Sequence, residues 1–235
     1  MSTYRLFKFR MEDSLDFLKV LSESDNLFLE RDKHGLSLTE NSKSRFSIRL
    51  PLFYPKPQDR QPLWQYLEDH SFDIYPERWN LLIMEAGRAA IGSVKEGKLV
   101  VHKNIRKYMV RKKQGKAQLT HLKSKGKSRY GSRLRLQETI EYFDEIIEKL
   151  ESEYYSQSPY VFYHCPVRLR AFLTEAAEGG DVDLAKFNWV RFGINVKEAS
   201  FNELQRMILE PYYSRLTVYD DSVLEELPPI PAYRK

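Results

Sequence analysis

Cysteine is nearly missing from this chain: among 235 residues there is one, Cys165. A single thiol excludes a disulfide framework and a four-cysteine zinc site. Long apolar runs are missing too. Stretches such as Leu81 to Met84 are far too short to span a bilayer, and the opening Met1-Ser2-Thr3-Tyr4-Arg5 lacks the apolar run of a signal peptide. Both absences point to a cytosolic, cytoplasmic protein with no membrane partner. Glycine is sparse, and its placement excludes a phosphate cradle. Gly87 and Gly92 stand alone and no Gly-x-x-x-x-Gly-Lys-Ser/Thr occurs, so no nucleotide cofactor is expected. There is no Gly-x-Ser-x-Gly elbow for a serine hydrolase. The histidines (His34, His70, His102, His121 and His164) are scattered without metal-ligand spacing, so no metal site is expected. His164 and Cys165 are the one close His/Cys pair, but neighbours on a strand point to opposite faces, and Cys165 reads as a small buried hydrophobe.

Charge is present in quantity, and its placement is informative. The 38 Lys+Arg and 33 Asp+Glu give a net charge of only +5. Between Lys98 and Gln137, however, 14 basic residues occur and no acid, which leaves the other 195 residues at −9. An acidic body therefore carries one intensely basic segment, and a polyanionic partner explains that economically.

Residues 1–75 read as an accessory α/β segment. Asp13 is placed to cap a helix bearing Leu15, Leu18 and Leu21, with Phe17 beside them. Strands follow at Leu27 to Leu29, Leu36 to Leu38 and Phe46 to Leu50, the first two joined by the turn Asp32-Lys33-His34-Gly35. Pro51, Pro55, Pro57 and Pro62 form a rigid connector before a short helix near Leu63 to Glu68. From residue 76 to 220 the pattern is a meander of hairpins: Asn80 to Met84, Ala89 to Val94, Leu99 to His102 and a fourth strand at Tyr108 to Arg111. Residues 112 to about 132 lack any apolar period and read as a long functional loop.

Arg133 to Tyr155 is an amphipathic helix with the stripe Leu136, Ile140, Phe143, Ile147, Leu150 and Tyr154; its acids Glu141, Asp144, Glu145 and Glu148 read as a solvated face. Strand Tyr160 to His164, helix Leu169 to Glu178, strand Val190 to Ile194, helix Phe201 to Leu209 capped by Ser200, and strand Leu216 to Tyr219 complete the unit. This order implies a mixed sheet with packed helices, an α/β (α+β) class. Residues 221–235 read as an extended, partly mobile, proline-containing tail.

The basic loop holds Arg111, Lys112, Lys113, Lys116, Lys123, Lys125, Lys127 and Arg129, continuing to Arg133 and Arg135. These cations can neutralise RNA phosphates, while Gly115 and Gly126 permit close backbone approach. Gln118 is the notable uncharged residue. A glutamine amide is no base near neutral pH, but it can orient a water with its carbonyl and donate from its nitrogen, and hydrolysis of an activated ester needs little more. By itself, a loop glutamine is most often only solvated.

The run His102-Lys103-x-x-x-Lys107-Tyr108-Met109-Val110-Arg111-x-Lys113-Gln114-Gly115-x-Ala117-Gln118, followed by Ser128, Gly131, Leu134, Arg135 and Glu138, resembles the Vms-like release-factor (VLRF) domain family. That family is similar to the middle domain of eukaryotic and archaeal peptide-chain release factors. The resemblance extends upstream through Leu81 to Met84 and downstream to Leu216 to Tyr219. It implies an RNase H-like mixed sheet and a ribosome-associated peptidyl-tRNA hydrolase, a release factor of ribosome quality control. The partners implied are the ribosomal large subunit, rRNA and peptidyl-tRNA. By resemblance, Gly115-Lys116-Ala117-Gln118 corresponds to the family's functional loop, with Gln118, approached through Gly115, as the catalytic pair. The start of the long helix departs from the family's Leu-Arg-Arg-x-Asn-Glu, since Leu134-Arg135-Leu136-Gln137-Glu138 lacks the second arginine. Two alternatives share the same loop: an endonuclease cutting near the tRNA 3′ end, and a non-catalytic RNA-binding module that occupies the ribosome.

Overall fold

The computed structural model describes residues 4–23, 27–30, 35–40, 43–72, 76–109 and 130–231. The chain divides into two compact units, Met1–Tyr75 with Leu209–Lys235, and Pro76–Ile208.

The first unit is built on a six-stranded antiparallel sheet in the order β1-β11-β4-β3-β2-β5. Its strands are β1 (Arg5–Arg10), β2 (Phe28–Glu30), β3 (Gly35–Glu40), β4 (Lys43–Arg49), β5 (Gln61–Pro62) and β11 (Tyr213–Val218). Alternation along β1, β4 and β11 sends Phe9, Phe46, Ile48, Leu216 and Val218 to one face. There they pack with Phe17, Leu18 and Leu21 of α1 (Met11–Ser22) and with Tyr66 of α2 (Leu63–Asp69). The proline-rich connector is strapped down by two phenols: Tyr54 donates to the Met11 carbonyl at 2.6 Å and Tyr66 to that of Pro55 at 2.8 Å.

Three expectations change in this unit. Asp13 lies inside the first turn of α1 and does not cap it; the capping position is Arg10, whose side chain makes no cap bond. The closing strand, expected to end the 76–220 domain, pairs antiparallel with β1 and β4 instead. The tail from 221 is not simply extended: Asp221–Glu225 forms a 3-10 turn with Val223 buried, and Leu224, Leu227 and Ile230 pack on the core.

The second unit is a mixed five-stranded sheet in the order β10-β9-β6-β7-β8. β6 (Arg78–Glu85), β7 (Arg88–Lys95) and β8 (Lys98–Arg106) form an antiparallel meander; β9 (Tyr160–His164) adds parallel to β6, and β10 (Asn188–Arg191) parallel to β9. A meander extended by two parallel strands is the RNase H-like order. β6 and β7 are buried on both faces and accordingly read as continuous apolar or small residues. One face is covered by α3 (Tyr130–Glu151) and α5 (Val167–Gly179), which bring Phe143, Ile146, Leu150, Leu169 and Leu173 onto Leu82, Met84 and Ile91. Between α3 and β9 lies the short α4 (Glu153–Ser156). On β7, Gly92 leaves room that a Cβ would fill, 2.5 Å from Leu99 Cδ1 and 3.4 Å from Leu204 Cδ1 of α6 (Phe201–Met207). Ser200 caps α6 as its position predicts, accepting from the Glu203 amide at 3.3 Å. Buried Asn80 ties β6 to the turn before β9, donating to the carbonyls of Tyr155 at 2.8 Å and Ser158 at 3.3 Å.

In the first unit, Glu210 bridges Lys8 at 2.9 Å and Arg215 at 2.5 Å. Burial pushes this carboxyl up, but the hydrogen bonds from Arg215 and Lys8 outweigh it and hold the group below its ordinary 4.5. The sign follows: the stability it contributes is complete above 4.5 and is lost as pH falls through the lower folded value. Glu210→Gln is expected to cost the unit about 1–3 kcal/mol at neutral pH, discounted for the partial exposure of both cations. It should also remove part of the acid dependence of amide exchange in β1 and β11. Identical pH profiles for variant and wild type would contradict this role.

Candidate functional site

The basic segment enters from the end of β8 and leaves into α3, so the residues at those two points fix how it is presented. The turn between β6 and β7 starts the frame. Gly87 adopts φ +80°, and a Cβ there would stand 2.4 Å from the Lys107 carbonyl oxygen. Only glycine combines that backbone with that approach. The Lys107 amide then donates to the Gly87 carbonyl at 2.9 Å. Tyr142 of α3 closes the turn from beneath, its single hydroxyl proton shared between the carbonyls of Glu85 at 2.8 Å and Arg88 at 2.7 Å. Burial raises this phenol far above its usual range, so it remains a neutral donor.

The strand that the alternation predicts at Tyr108 to Arg111 is not continued in the described part of that range: β8 ends at Arg106, and residues 107–109 have no ladder partners. Met109 explains the break. It is fully buried in the core shared with Tyr142, and its amide turns back to the Lys107 carbonyl at 3.1 Å. The Lys107 side chain reaches Glu141 at 3.0 Å and Glu145 at 3.9 Å, while Lys103 reaches Glu145 at 3.6 Å. The hydrogen bond to Glu141 raises Lys107, and that carboxylate is in turn lowered by Gln137, 2.9 Å away, and by Lys107. Glu141 and Glu145, which read from sequence as a solvated face, are therefore partners of the strand end. Glu138 adds a third link, accepting from the Tyr108 amide at 3.3 Å. Entry and exit of the segment are held together by groups on one helix face, at i, i+3 and i+7.

The residues expected to act divide by position. Gln118, Gly115, Arg111, Lys112, Lys113, Lys116, Lys123, Lys125, Lys127 and Arg129 lie outside the described residues. Arg133 is exposed on the first turns of α3. Arg135 is 5 % exposed, so its expected role as an open phosphate contact does not match its placement. Lys98, Lys103 and Arg106 sit on β8, an edge of the sheet, where exposed cations also discourage pairing with another strand.

Other chemistry is weakly represented. Among the described residues no group of three His, Cys, Asp or Glu is arranged to hold a metal, and no helix is long and apolar enough to cross a membrane. Burial pushes the Cys165 thiol up to about 12, where it donates to the Pro166 carbonyl, so it is packing and not a nucleophile. His102 stacks on Phe201 at 4.4 Å. A groove of about 650 Å³ between α3 and α5 is lined by Leu136, Ile140, Phe143 and Phe172, with Asp144 and Glu175. Among the described residues, the contacts of Gly87, Lys107 and Tyr108 form a frame at the two ends of the basic segment.

If the frame depends on the bare backbone of Gly87, Gly87→Val must cost at least about 1–3 kcal/mol through positive-φ strain alone. Tyr142→Phe, losing one buried donor, is expected to cost about 1–2 kcal/mol. Urea unfolding followed by the fluorescence of Trp79 and Trp189 measures both; a Gly87→Val protein as stable as wild type would remove the frame from the account.

A family model described as Bacteroidetes VLRF1 release factor matches residues 79–219. No curated protein matches the chain. Among solved structures, one titled "Vms1 mitochondrial localization core" is similar at 14% sequence identity and TM-score 0.41, covering 88% of this chain and 83% of that chain.

Proposed function

Because the chain belongs to the Bacteroidetes VLRF1 release factor family, we propose that it is a cytoplasmic, ribosome-associated peptidyl-tRNA hydrolase that frees nascent chains from stalled large subunits. The family match carries the reading, and the stapled ends of the basic segment support it. A frame that joins the ends of a twenty-residue stretch, residues 110–129 with eight Lys+Arg and no acid, suits a loop that must reach into RNA and still point in one direction.

In this reading Arg111, Lys112, Lys113, Lys116, Lys123, Lys125, Lys127, Arg129 and exposed Arg133 contact phosphates of rRNA and of the tRNA acceptor end. Gly115 lets the backbone approach the ester closely, and Gln118 orients the attacking water. The water oxygen bonds to the ester carbonyl carbon and the bond to the ribose oxygen breaks. The peptide leaves with a carboxyl group, and the water's proton ends on the ribose hydroxyl. Neither a metal nor an organic cofactor has a part in this scheme. Since an amide cannot take the proton, Gln118 acts by position and hydrogen bonding alone.

Gln118→Ala is expected to slow release of a labelled peptide from stalled large subunits by about 100-fold or more, with cosedimentation on those subunits unchanged. Release at the wild-type rate would refute the role of Gln118. Undiminished binding with no release by either protein would leave an RNA-binding module without chemistry.

A further inference from the structure

The face of the six-stranded sheet opposite its apolar core carries a charge imbalance remote in sequence from the basic segment. Alternation that buries Phe9, Leu216 and Ile48 turns Lys8, Arg215 and Arg49 to the opposite face. The register sets Lys8 opposite Arg215, and Arg215 opposite Arg49. Three cations thus form one row across three adjacent strands, an arrangement that repels itself unless something neutralises it. Glu210 does so for two of them, through Lys8 and Arg215. Arg45, on the same strand as Arg49, is matched by Glu226 at 2.8 Å and by Asp220 at 3.8 Å.

Arg49 is different. Its Nε and Nη2 are out of water and have no hydrogen-bond partner, and the same holds for Nε of Arg215. Nε and Nη2 form one side of the planar guanidinium, the fork that grips an oxyanion with two parallel bonds. Position Gly35 faces Arg49 from β3 and contributes no side chain to fill the fork. Burial, then Arg215, lower the guanidinium to about 10 against the pull of Glu210, so it is still cationic at neutral pH. An unpaired charged donor of this kind destabilises the fold until an anion meets it. Arg49 as a whole stays partly exposed.

We propose that Arg49, with Arg215 beside it, is an oxyanion site that takes a phosphate group through the Arg49 fork. Three cations against one carboxylate leave two positive charges unmet. Three unpartnered donor nitrogens on two arginines suit a tetrahedral phosphate, whose oxygens do not lie in one plane, better than a planar carboxylate. The phosphate belongs either to an RNA backbone or to a free phosphate compound. The site stands independently of Gln118 and of the release reaction.

The test uses the full chain and the arginine Nε–H signals seen by NMR. Inorganic phosphate should shift the Arg49 and Arg215 signals saturably, while acetate at equal ionic strength should not. Arg49→Lys, which keeps the charge and loses the fork, should weaken phosphate binding about tenfold or more. A short labelled oligouridylate separates the sources. At least about fivefold weaker binding by Arg49→Lys assigns the site to RNA. Equal RNA binding, with the phosphate shift present in wild type, assigns it to a free phosphate compound. Absence of a saturable shift, an equal response to acetate, or unaltered phosphate binding by Arg49→Lys would each overturn the site.

Discussion

Lys107 meets Gly87 at a separation that no side chain permits, since a Cβ would stand 2.4 Å from the Lys107 carbonyl oxygen. That contact lies where β8 stops and the basic segment begins. Once the backbone is pinned there, Met109 drops into the core and Lys107 is left beside Glu141 and Glu145. Tyr142, one residue beyond Glu141, holds the other side of the same turn through two carbonyls. Each of these links is modest and several are solvated. Their joint effect is geometric: the end of a strand, a tight turn and a helix are locked in one relation, and whatever lies between Met109 and Tyr130 must start and finish there.

The sheet was largely legible in the amino-acid pattern. Hairpins at 80–102, the strand at 160–164 and the helices around 133–155 and 169–178 follow from period-2 and period-3.6 alternation, because burial on one or both faces writes itself into local order. Long-range pairing does not. β1 is a short run of mixed character, Arg5-Leu6-Phe7-Lys8-Phe9-Arg10, whose strand identity depends on β11, some two hundred residues away. The same distance hid that β11 completes the accessory sheet. Glu141 and Glu145 are ambiguous in sequence for a related reason: acids at i and i+4 look alike whether they face water or a lysine from a strand. Isolated Gly87 offered no local pattern, and only its positive φ in the fold shows what it is for. Gln118 and Gly115 came from family resemblance, and they fall outside the described residues.

Charge also separates by unit. The basic segment concentrates its cations in one stretch of sequence between two fixed ends, a composition suited to sequence-independent contact with phosphates. In the accessory unit the cations are few and ordered by strand register, with Glu210 satisfying two and leaving Arg49 without a partner for its fork. The first pattern favours reach and the second favours a defined pocket for one group. Membership in a release factor family explains the first and says nothing of the second.

The account centres on hydrolysis of the ester between a nascent chain and its tRNA. The most direct measurement is to incubate the full chain with purified large subunits carrying labelled peptidyl-tRNA and to sequence the 3′ end of the tRNA recovered with the freed peptide. The account predicts release of the peptide with a complete terminal CCA. Peptide freed only together with a tRNA shortened at its 3′ end would contradict it.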